Sequence, residues 1–254
     1  MSEERSAPSI QYVGHSTVLV DMDGVRLLTD PLLRARVAHL RRAGKVDATA
    51  LRGVDAVLIS HLHHDHLDFG SLARLGRELP IVVPRGAGAL VRRKGGRRDV
   101  IEIEAGEEIS VGRLRVRATR AEHDAGRLLL GVRADPVGYR VEGERSVYFA
   151  GDTEVFPEMA EIGPVDVALV PIWGWGPSMG PGHMDPAGAA ESLRLLRARL
   201  AIPIHWGTYY PLHLAATGRP AWLDTPPESF RAEAAATAPG VEVRILRPGE
   251  RTAI

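Results

Sequence analysis

The amino-acid sequence predicts a layered fold of the α/β or α+β class with substantial sheet content. Two observations support this prediction. Short apolar runs of strand length outnumber helical patterns, and the two kinds of segment alternate along the chain. The 254 residues contain no evident repeat or linker, so we expect a single domain over residues 1–254.

The first predicted element is a β-hairpin. Its strands, Thr17–Met22 and Val25–Asp30, flank the pair Asp23-Gly24, which is a strong signal for a two-residue turn. Further strands are predicted at short runs rich in apolar residues. They are Asp55–Ser60, Ile81–Pro84, Val100–Ile103, Leu114–Thr119, Gly138–Val141, Ser146–Ala150, Val165–Ile172 and Val241–Leu246.

Helical patterns lie between these strands. The best defined one begins near Asp185, which is a good N-cap, and Pro186 suits the first helical position. The predicted helices are Phe69–Glu78, Gly86–Arg93, Glu154–Ile162, Pro186–Leu200 and Pro227–Ala238.

Two segments are rich in basic residues. In residues 31–50, Leu33, Val37 and Leu40 share helical spacing, which favours a surface segment with one packed stripe. The alternative is a cover over a pocket, or a basic patch that meets anionic substrate or lipid headgroups. The second run, residues 92–98, is predicted to be a solvated loop.

Composition excludes several kinds of site. The chain has no cysteine, so it has no disulfide, thiol nucleophile, iron–sulfur cluster or cysteine-ligated zinc. Lys+Arg and Asp+Glu both total 32, a balance that gives no support for general nucleic-acid binding. No apolar run approaches the ~18 residues of a membrane-spanning helix. The polar N-terminus lacks a signal-peptide pattern, so we expect a cytoplasmic protein.

The most informative motif is the segment from His61 to His66, His-Leu-His-His-Asp-His, which directly follows an apolar strand. His61 and His63 alternate, so both can reach the same side of the chain. Asp65 and His66 follow them and can point to an adjacent position. Imidazole and carboxylate ligands without thiolate suit zinc, iron, manganese or nickel. This spacing predicts two adjacent metal positions.

Further ligand candidates lie where apolar runs stop. His123 follows the run from Leu114, Asp152 follows Ala150-Gly151, and His205 follows Ile204. Each could be a structural residue when taken alone. A metal site built along one sheet edge needs ligands at such positions, and with the histidine motif these residues favour a binuclear centre.

The order of these motifs resembles that of the metallo-β-lactamase superfamily, over nearly the whole chain. The branch that it resembles contains N-acyl phosphatidylethanolamine-hydrolysing phospholipase D and L-ascorbate-6-phosphate lactonase. Members with a cysteine zinc ligand are excluded by the absence of cysteine. The motifs that carry the branch resemblance are Gly14-His15-Ser16-Thr17, Thr29-Asp30-Pro31, Gly182-His183-Met184-Asp185-Pro186 and Ile204-His205-Trp206-Gly207.

The resemblance implies a four-layer αββα sandwich of two mixed sheets flanked by helices, with two divalent metals in a groove at one edge. Zinc is the expected metal, and manganese fits the same ligands. Asp30 would hold the metal-binding loop by hydrogen bonds, or else cap a turn before Pro31. His64 would not bind metal, and His39 and His213 are expected at the surface. The implied ligands are His61, His63 and His123 for the first metal, Asp65, His66 and His205 for the second, and Asp152 as the bridge.

The chemistry that follows is hydrolysis. A hydroxide held between the metals would attack a phosphodiester, a phosphorylated metabolite or a lactone. By analogy, Asp65 would also accept a proton. His183, in a Gly/Pro-rich loop, would bind the anionic group of the substrate or assist the leaving group, unless it bonds only to backbone. Trp173, Trp175, Tyr209 and Tyr210 either line the substrate pocket or pack within their loops.

Three other functions remain open on this sequence. They are an iron-dependent oxygenase or redox protein, a nuclease, and a binding module that has lost catalysis. The complete ligand set favours the hydrolase over the oxygenase and the binding module, and a net charge of zero disfavours the nuclease. We expect a small, anionic substrate and no nucleic-acid partner, with peripheral membrane contact left open.

Overall fold

Two seven-stranded β-sheets pack face to face, and helices cover their outer faces. The computed structural model describes residues 7–46, 51–124, 126–127, 131–174, 176, 179–218 and 220–254. Within these ranges, no helix is long and apolar enough to cross a bilayer.

The strands and helices are numbered in chain order. The strands are β1 (Ser9–Gly14), β2 (Thr17–Met22), β3 (Val25–Thr29), β4 (Arg36–Val37), β5 (Leu40–Arg42), β6 (Ala56–Leu58), β7 (Ile81–Pro84), β8 (Val100–Ile103), β9 (Glu108–Val111), β10 (Leu114–Arg120), β11 (Gly126–Arg127), β12 (Val132–Arg133), β13 (Val137–Glu142), β14 (Ser146–Phe149), β15 (Val167–Pro171), β16 (Leu200–Ile204), β17 (Tyr209–Pro211), β18 (Glu242–Val243) and β19 (Arg251–Ala253). The α-helices are α1 (Phe69–Leu72), α2 (Gly88–Gly95), α3 (Met159–Ile162), α4 (Pro186–Leu196) and α5 (Pro226–Thr237), and 3₁₀ helices span Leu212–Thr217 and Ala221–Leu223.

Each large sheet is parallel in one half and antiparallel in the other. The first sheet has the order β19-β1-β2-β3-β6-β7-β8, and its strands run parallel from β3 to β8. The second has the order β18-β16-β15-β14-β13-β10-β9, and its strands run parallel from β18 to β14. Two small sheets, β11-β12 and β17-β5-β4, complete the described strands.

The hydrophobic core has two parts. The larger part fills the space between the sheets with residues such as Tyr12, Val20 and Tyr139, and continues under α4 and α5. The smaller part lies on the other face of the first sheet, where Ile81 packs with Leu90 of α2. Apolar residues therefore alternate between two buried faces along the central strands. This arrangement confirms the predicted αββα sandwich.

Two helices are shorter than predicted at their C-terminal ends. The helix predicted over Pro186–Leu200 ends at Leu196, because Arg197 adopts a left-handed backbone with φ of +47° and Leu200 already begins β16. The helix predicted over Phe69–Glu78 ends at Leu72. Beyond it the chain forms tight turns, in which Leu75 donates to the carbonyl of Leu72, and Gly76 disfavours continued helix.

The helix predicted over Glu154–Ile162 is shorter than predicted at its N-terminal end. It starts at Met159, because Pro157 lacks the N–H group that a helix starting at Glu154 would need. Several strands were also missed, and most of them are only two to four residues long, although β16 is a buried apolar run of five. They are β1, β4, β5, β9, β11, β12, β16, β17 and β19.

The arginine-rich segment 31–50 contains a β-hairpin instead of a helical stripe. Strands β4 and β5 pair antiparallel, and β5 pairs with β17 so that Arg42 lies opposite Tyr209. Leu33, Val37 and Leu40 are buried, as a packed stripe requires, but Leu33 packs in a different cluster from the other two. The helical spacing of the three residues was therefore misleading.

The second basic run is only in part a loop, although four of its five basic side chains are exposed. Residues 92–95 form the last turns of α2. Arg97 is only 3% exposed, and its guanidinium donates to the backbone carbonyls of Leu75 and Gly76. These bonds tie the end of α2 to the turn that follows α1.

The N-cap of α4 provides a test of local stability. The carboxylate of Asp185 accepts a hydrogen bond from the N–H of Gly188 at 2.8 Å. We expect Asp185→Ala to lower the free energy of unfolding by about 1 kcal/mol, because a helical N–H loses its partner. Asp185→Asn, which keeps a capping oxygen, should stay close to the wild type. Urea unfolding of the three proteins would measure this, and equal losses in both variants would contradict the capping role.

Candidate metal centre

Side chains from both sheets meet at one edge of the sandwich. Asp30 and His61 follow the neighbouring parallel strands β3 and β6, so they emerge at the same edge of the first sheet. Asp152 and His205 follow β14 and β16, which run parallel to β15 between them. The carboxyl ends of parallel strands are a common location for functional sites.

The first group of potential ligands consists of His61, His63 and His123. One ring nitrogen from each lies within 4.8 Å of the others. Nδ1 of His63 is 3.0 Å from Nε2 of His123, and the rings cross nearly at right angles. Three imidazoles in this arrangement can hold one metal ion.

The second group consists of Asp65, His66 and His205, together with His15, and its potential ligand atoms also lie within 4.8 Å of one another. Nε2 of His66 and Nε2 of His205 are 3.2 Å apart. Oδ2 of Asp65 lies 3.8 Å from the former and 3.9 Å from the latter.

Asp152 lies between the two groups. Its Oδ2 is 3.1 Å from Nε2 of His66 and 3.3 Å from Nε2 of His205, both in the second group. The same oxygen is 4.0 Å from Nε2 of His61 in the first group. Asp152 is therefore the residue that connects the two groups.

Two buried atoms support metal binding at this cluster. Nε2 of His61 and Oδ1 of Asp152 are buried and make no hydrogen bond within the described part of the chain. An unsatisfied buried polar atom costs about 1–3 kcal/mol, so such atoms need an explanation. A metal ion provides one, since both residues belong to a set of nitrogen and oxygen ligands that suits zinc or manganese.

Bonds outside the cluster orient the imidazoles. Nδ1 of His66 lies 2.7 Å from Oδ2 of Asp30, while Asp30 accepts bonds from the N–H and hydroxyl of Ser60 at 2.7 and 2.5 Å. Nδ1 of His123 is 2.6 Å from the carbonyl oxygen of Gly182, and Nδ1 of His205 is 2.7 Å from that of Trp173. These contacts fix the tautomer of each ring and turn its Nε2 inward.

Two glycines allow the loops to approach this closely. Gly151 has φ of +64°, and a Cβ there would lie 2.6 Å from Cβ of Ser60. Gly182 has φ of +81°, and its Cβ would lie 2.7 Å from Nδ1 of His123. Because a larger residue would both clash and strain the backbone, these positions require glycine.

The opposite charges in the cluster shift the pKa values of their neighbours. Burial would raise the pKa of Asp152, but the imidazoles of His205 and His66 hold it well below its usual range. Burial would lower the pKa of His66, but Asp152 and Asp65 raise it well above its usual value. Burial dominates at His123 and lowers its pKa to about 4. The two carboxylates therefore favour the imidazolium form of His66, whereas burial favours the neutral form of His123.

His183 lies beside the cluster, in the loop before α4. Its Nε2 is 3.3 Å from Oδ2 of Asp152, and its side chain is 23% exposed. Burial would lower its pKa, but the hydrogen bond and charge of Asp152 raise it to about 9. Nδ1 is 3.1 Å from the carbonyl of Pro181. The loop thus brings an imidazolium next to the cluster and also anchors that ring to the backbone.

Among the described residues, the remaining candidates add no potential ligand atom to the cluster. His64 belongs to none of the potential ligand groups formed by the described residues. His39 and His213 are exposed, as expected. The indole of Trp173 donates to the carbonyl of Gly176 within its own loop.

The two tyrosine predictions gain no support as a pocket wall. Tyr209 is buried in the small sheet, where its hydroxyl donates to the carbonyl of Arg34 at 2.6 Å. Tyr210 is also buried. Trp175 lies outside the described residues.

The sequence prediction missed His15 as part of the site. This residue lies in the turn between β1 and β2, far from the histidine motif along the chain. Its ring nitrogen Nε2 nevertheless lies 3.0 Å from Oδ2 of Asp65. The available signal was the motif Gly14-His15-Ser16-Thr17, which was noted as a family mark but given no role.

Comparisons with known proteins identify the family of the chain. The profile of a family described as the beta-lactamase superfamily domain matches residues 25–206. A UPF0173 metal-dependent hydrolase from Methanopyrus kandleri is 33% identical, over 95% of this chain and 97% of that protein. N-acyl-phosphatidylethanolamine-hydrolyzing phospholipase D 1 from Caenorhabditis elegans is 33% identical, over 78% of this chain and 63% of that protein.

A solved structure has the same fold. The metallo hydrolase Igni18 from Ignicoccus hospitalis superposes with a TM-score of 0.73 at 24% identity, over 97% of this chain and 98% of that one. Some relatives are longer. A Mycobacterium tuberculosis protein that is 32% identical matches 81% of this chain, which spans 60% of that protein's length.

Asp30 provides a test of how the cluster is held. We expect Asp30→Ala to lower the free energy of unfolding by about 3–5 kcal/mol, because it leaves buried partners in Ser60 and His66 without their acceptor. Asp30→Asn should lose less, because its amide oxygen can still accept from Ser60. Chemical unfolding of metal-free protein would measure both, and a loss below about 1 kcal/mol for Asp30→Ala would show that this carboxylate does not hold the loop.

Proposed function

The chain belongs to the metallo-β-lactamase superfamily, and from this premise we propose that it is a metal-dependent hydrolase with a two-metal centre. The names of its relatives from Methanopyrus kandleri and Ignicoccus hospitalis support hydrolysis. The position of Asp152 between two groups of ligand atoms is the observation that favours two metals over one.

The proposed assignment follows the two groups. Zinc is the proposed metal, and manganese suits the same nitrogen and oxygen ligands. His61, His63 and His123 would hold the first metal, Asp65, His66 and His205 would hold the second, and Asp152 would bridge them.

Two divalent ions bound here would lower the pKa of water towards about 7 and so supply a nucleophile at neutral pH. The chain itself contributes charge and orientation. The imidazoles of His66 and His15 outweigh the effect of burial and hold the pKa of Asp65 well below its usual range, so this carboxylate is ionised. Asp65 can therefore accept a hydrogen bond from the attacking water. His183, whose Nε2 lies 3.3 Å from Oδ2 of Asp152, can donate a proton to the departing oxygen.

Space for a substrate lies next to the first group. A cavity of about 540 Å³ is lined by His123, with Arg85 and Arg120 also in its wall. Both arginines make ion pairs with exposed glutamates. Exposed ion pairs are weak, so either guanidinium can turn to an anionic substrate.

These cations differ from the ones expected in segment 31–50. Arg34 in that segment makes a bidentate pair with Asp68, and Arg42 is buried against the carbonyls of Leu32 and Val13. The cavity beside His123 offers two arginines next to the cluster, together with the carboxylates of Glu104 and Asp135 in the same wall.

We propose a phosphodiester as the substrate class. The similarity to a phospholipase D supports this choice, and the arginines beside the cavity suit a phosphate group. A lactone is the alternative, since the same centre can attack an acyl carbon.

Neighbouring histidines provide a matched test of the centre. His63→Ala should lose metal from the first position and most phosphodiesterase activity, because it removes a proposed ligand. His64→Ala, one residue away, should keep two metals and near wild-type turnover. Elemental analysis of protein purified without a metal-binding tag would count metals, and bis(p-nitrophenyl) phosphate and simple lactones would serve as substrates.

Each result decides between functions. Two zinc or manganese ions and chelator-sensitive cleavage of the phosphodiester would support the proposal. Cleavage of lactones alone would change the substrate class. One iron ion per chain with oxygen consumption would replace the hydrolase with an oxygenase, and equal effects of the two histidine variants would refute the ligand assignment.

His183 tests the catalytic step. We expect His183→Ala to lower kcat by roughly 10²-fold or more, because it removes a general acid. Metal content should stay near that of the wild type, and His213→Ala serves as a control for loss of an exposed histidine. Full activity in His183→Ala would remove this residue from the mechanism, whereas loss of a metal ion would make it a ligand.

A further inference from the structure

We propose that His15 is a positioning residue of the metal centre, which donates a hydrogen bond to Asp65 and fixes the carboxylate for metal binding. This inference rests on the proposed two-metal function. It gives a role to a residue that the ligand assignment leaves out.

The contact between the two side chains is direct and buried. Nε2 of His15 lies 3.0 Å from Oδ2 of Asp65, and the two side chains are 1% and 14% exposed. This contact gives the Asp65 carboxylate a hydrogen-bond partner on the turn between β1 and β2.

The proposed ligand set of the second metal is complete without His15, although its ring lies close enough to count among the potential ligands with Asp65, His66 and His205. The direct contact of its Nε2 is the hydrogen bond to the carboxylate of Asp65. We therefore assign His15 to the orientation of that ligand, and a direct bond to the metal is the competing role.

The backbone of His15 also holds the second group. Its N–H donates to the hydroxyl of Thr208 at 2.8 Å, and its carbonyl accepts the N–H of His205 at 2.8 Å. The rings of His15 and His205 pack with their centroids 3.9 Å apart. One residue thus contacts two proposed ligands of the same metal.

His15 adopts an unusual conformation to make these contacts. Its φ is +60°, in the left-handed region that non-glycine residues rarely occupy. The preceding strand pairing shifts register between Tyr12 and Gly14. Such conformations persist where the surrounding contacts determine them, and they concentrate at functional sites.

The consequence for metal binding is specific to one position. Residues that hydrogen-bond a metal ligand orient it, and their loss weakens affinity by about 10–100-fold. Because His15 contacts Asp65 and His205 but none of the first group, its removal should weaken the second metal alone.

The test is a cobalt titration of metal-free protein followed by visible absorption. In His15→Ala, the first equivalent should bind as in the wild type and the second about 10–100-fold more weakly. His15→Asn should recover most of that loss, because its amide N–H can donate to a carboxylate. His213→Ala is the control, and thermal unfolding of the metal-free variants would show whether each is folded.

The outcomes separate this inference from the function on which it rests. Unchanged binding of the second equivalent in His15→Ala would overturn the positioning role. Equal weakening of both equivalents, or no recovery in His15→Asn, would also overturn it, in favour of a purely structural residue or a direct ligand. If His15→Ala does not fold, binding of the second cobalt equivalent by His15→Asn tests the positioning role on its own. A wild-type protein that binds one equivalent would overturn the two-metal function itself.

Discussion

The centre depends on one buried carboxylate. Asp152 is 2% exposed, and its Oδ2 lies within 4.0 Å of four imidazoles. A charge removed from water in this way is costly unless opposite charges and hydrogen bonds surround it. The protein meets this requirement by placing Gly151 against Ser60, so that the loop after β14 reaches the histidine motif of the other sheet.

The mixed construction of the sheets explains why the ligands converge. In each sheet, the parallel half directs the carboxyl ends of its strands to one edge, while the antiparallel half permits short hairpin connections. Asp30 and His61 emerge from one sheet, and Asp152 and His205 from the other. The core between the sheets fixes the distance across which these loops meet.

Much of the site could be predicted because its signals are local. The spacing of His61, His63 and His66 after an apolar strand is visible in the sequence, and Asp152 and His205 mark the ends of such strands. His15 and Arg97 could not be assigned, because their roles depend on partners about 50 and 20 residues away. The short strand β19 is similar, since its polar residues become a strand only by pairing with β1.

The origin of the proposed ligands in both sheets has a thermodynamic consequence. An ion bound between them acts as a cross-link, because the two layers cannot separate without breaking its coordination. Ligand binding to the folded state alone adds to stability, by about 2.7 kcal/mol when the free ion exceeds its Kd by 100-fold. The free energy of unfolding would then depend on the concentration of free metal. At low metal concentration, the amount of folded protein would fall as well as the turnover.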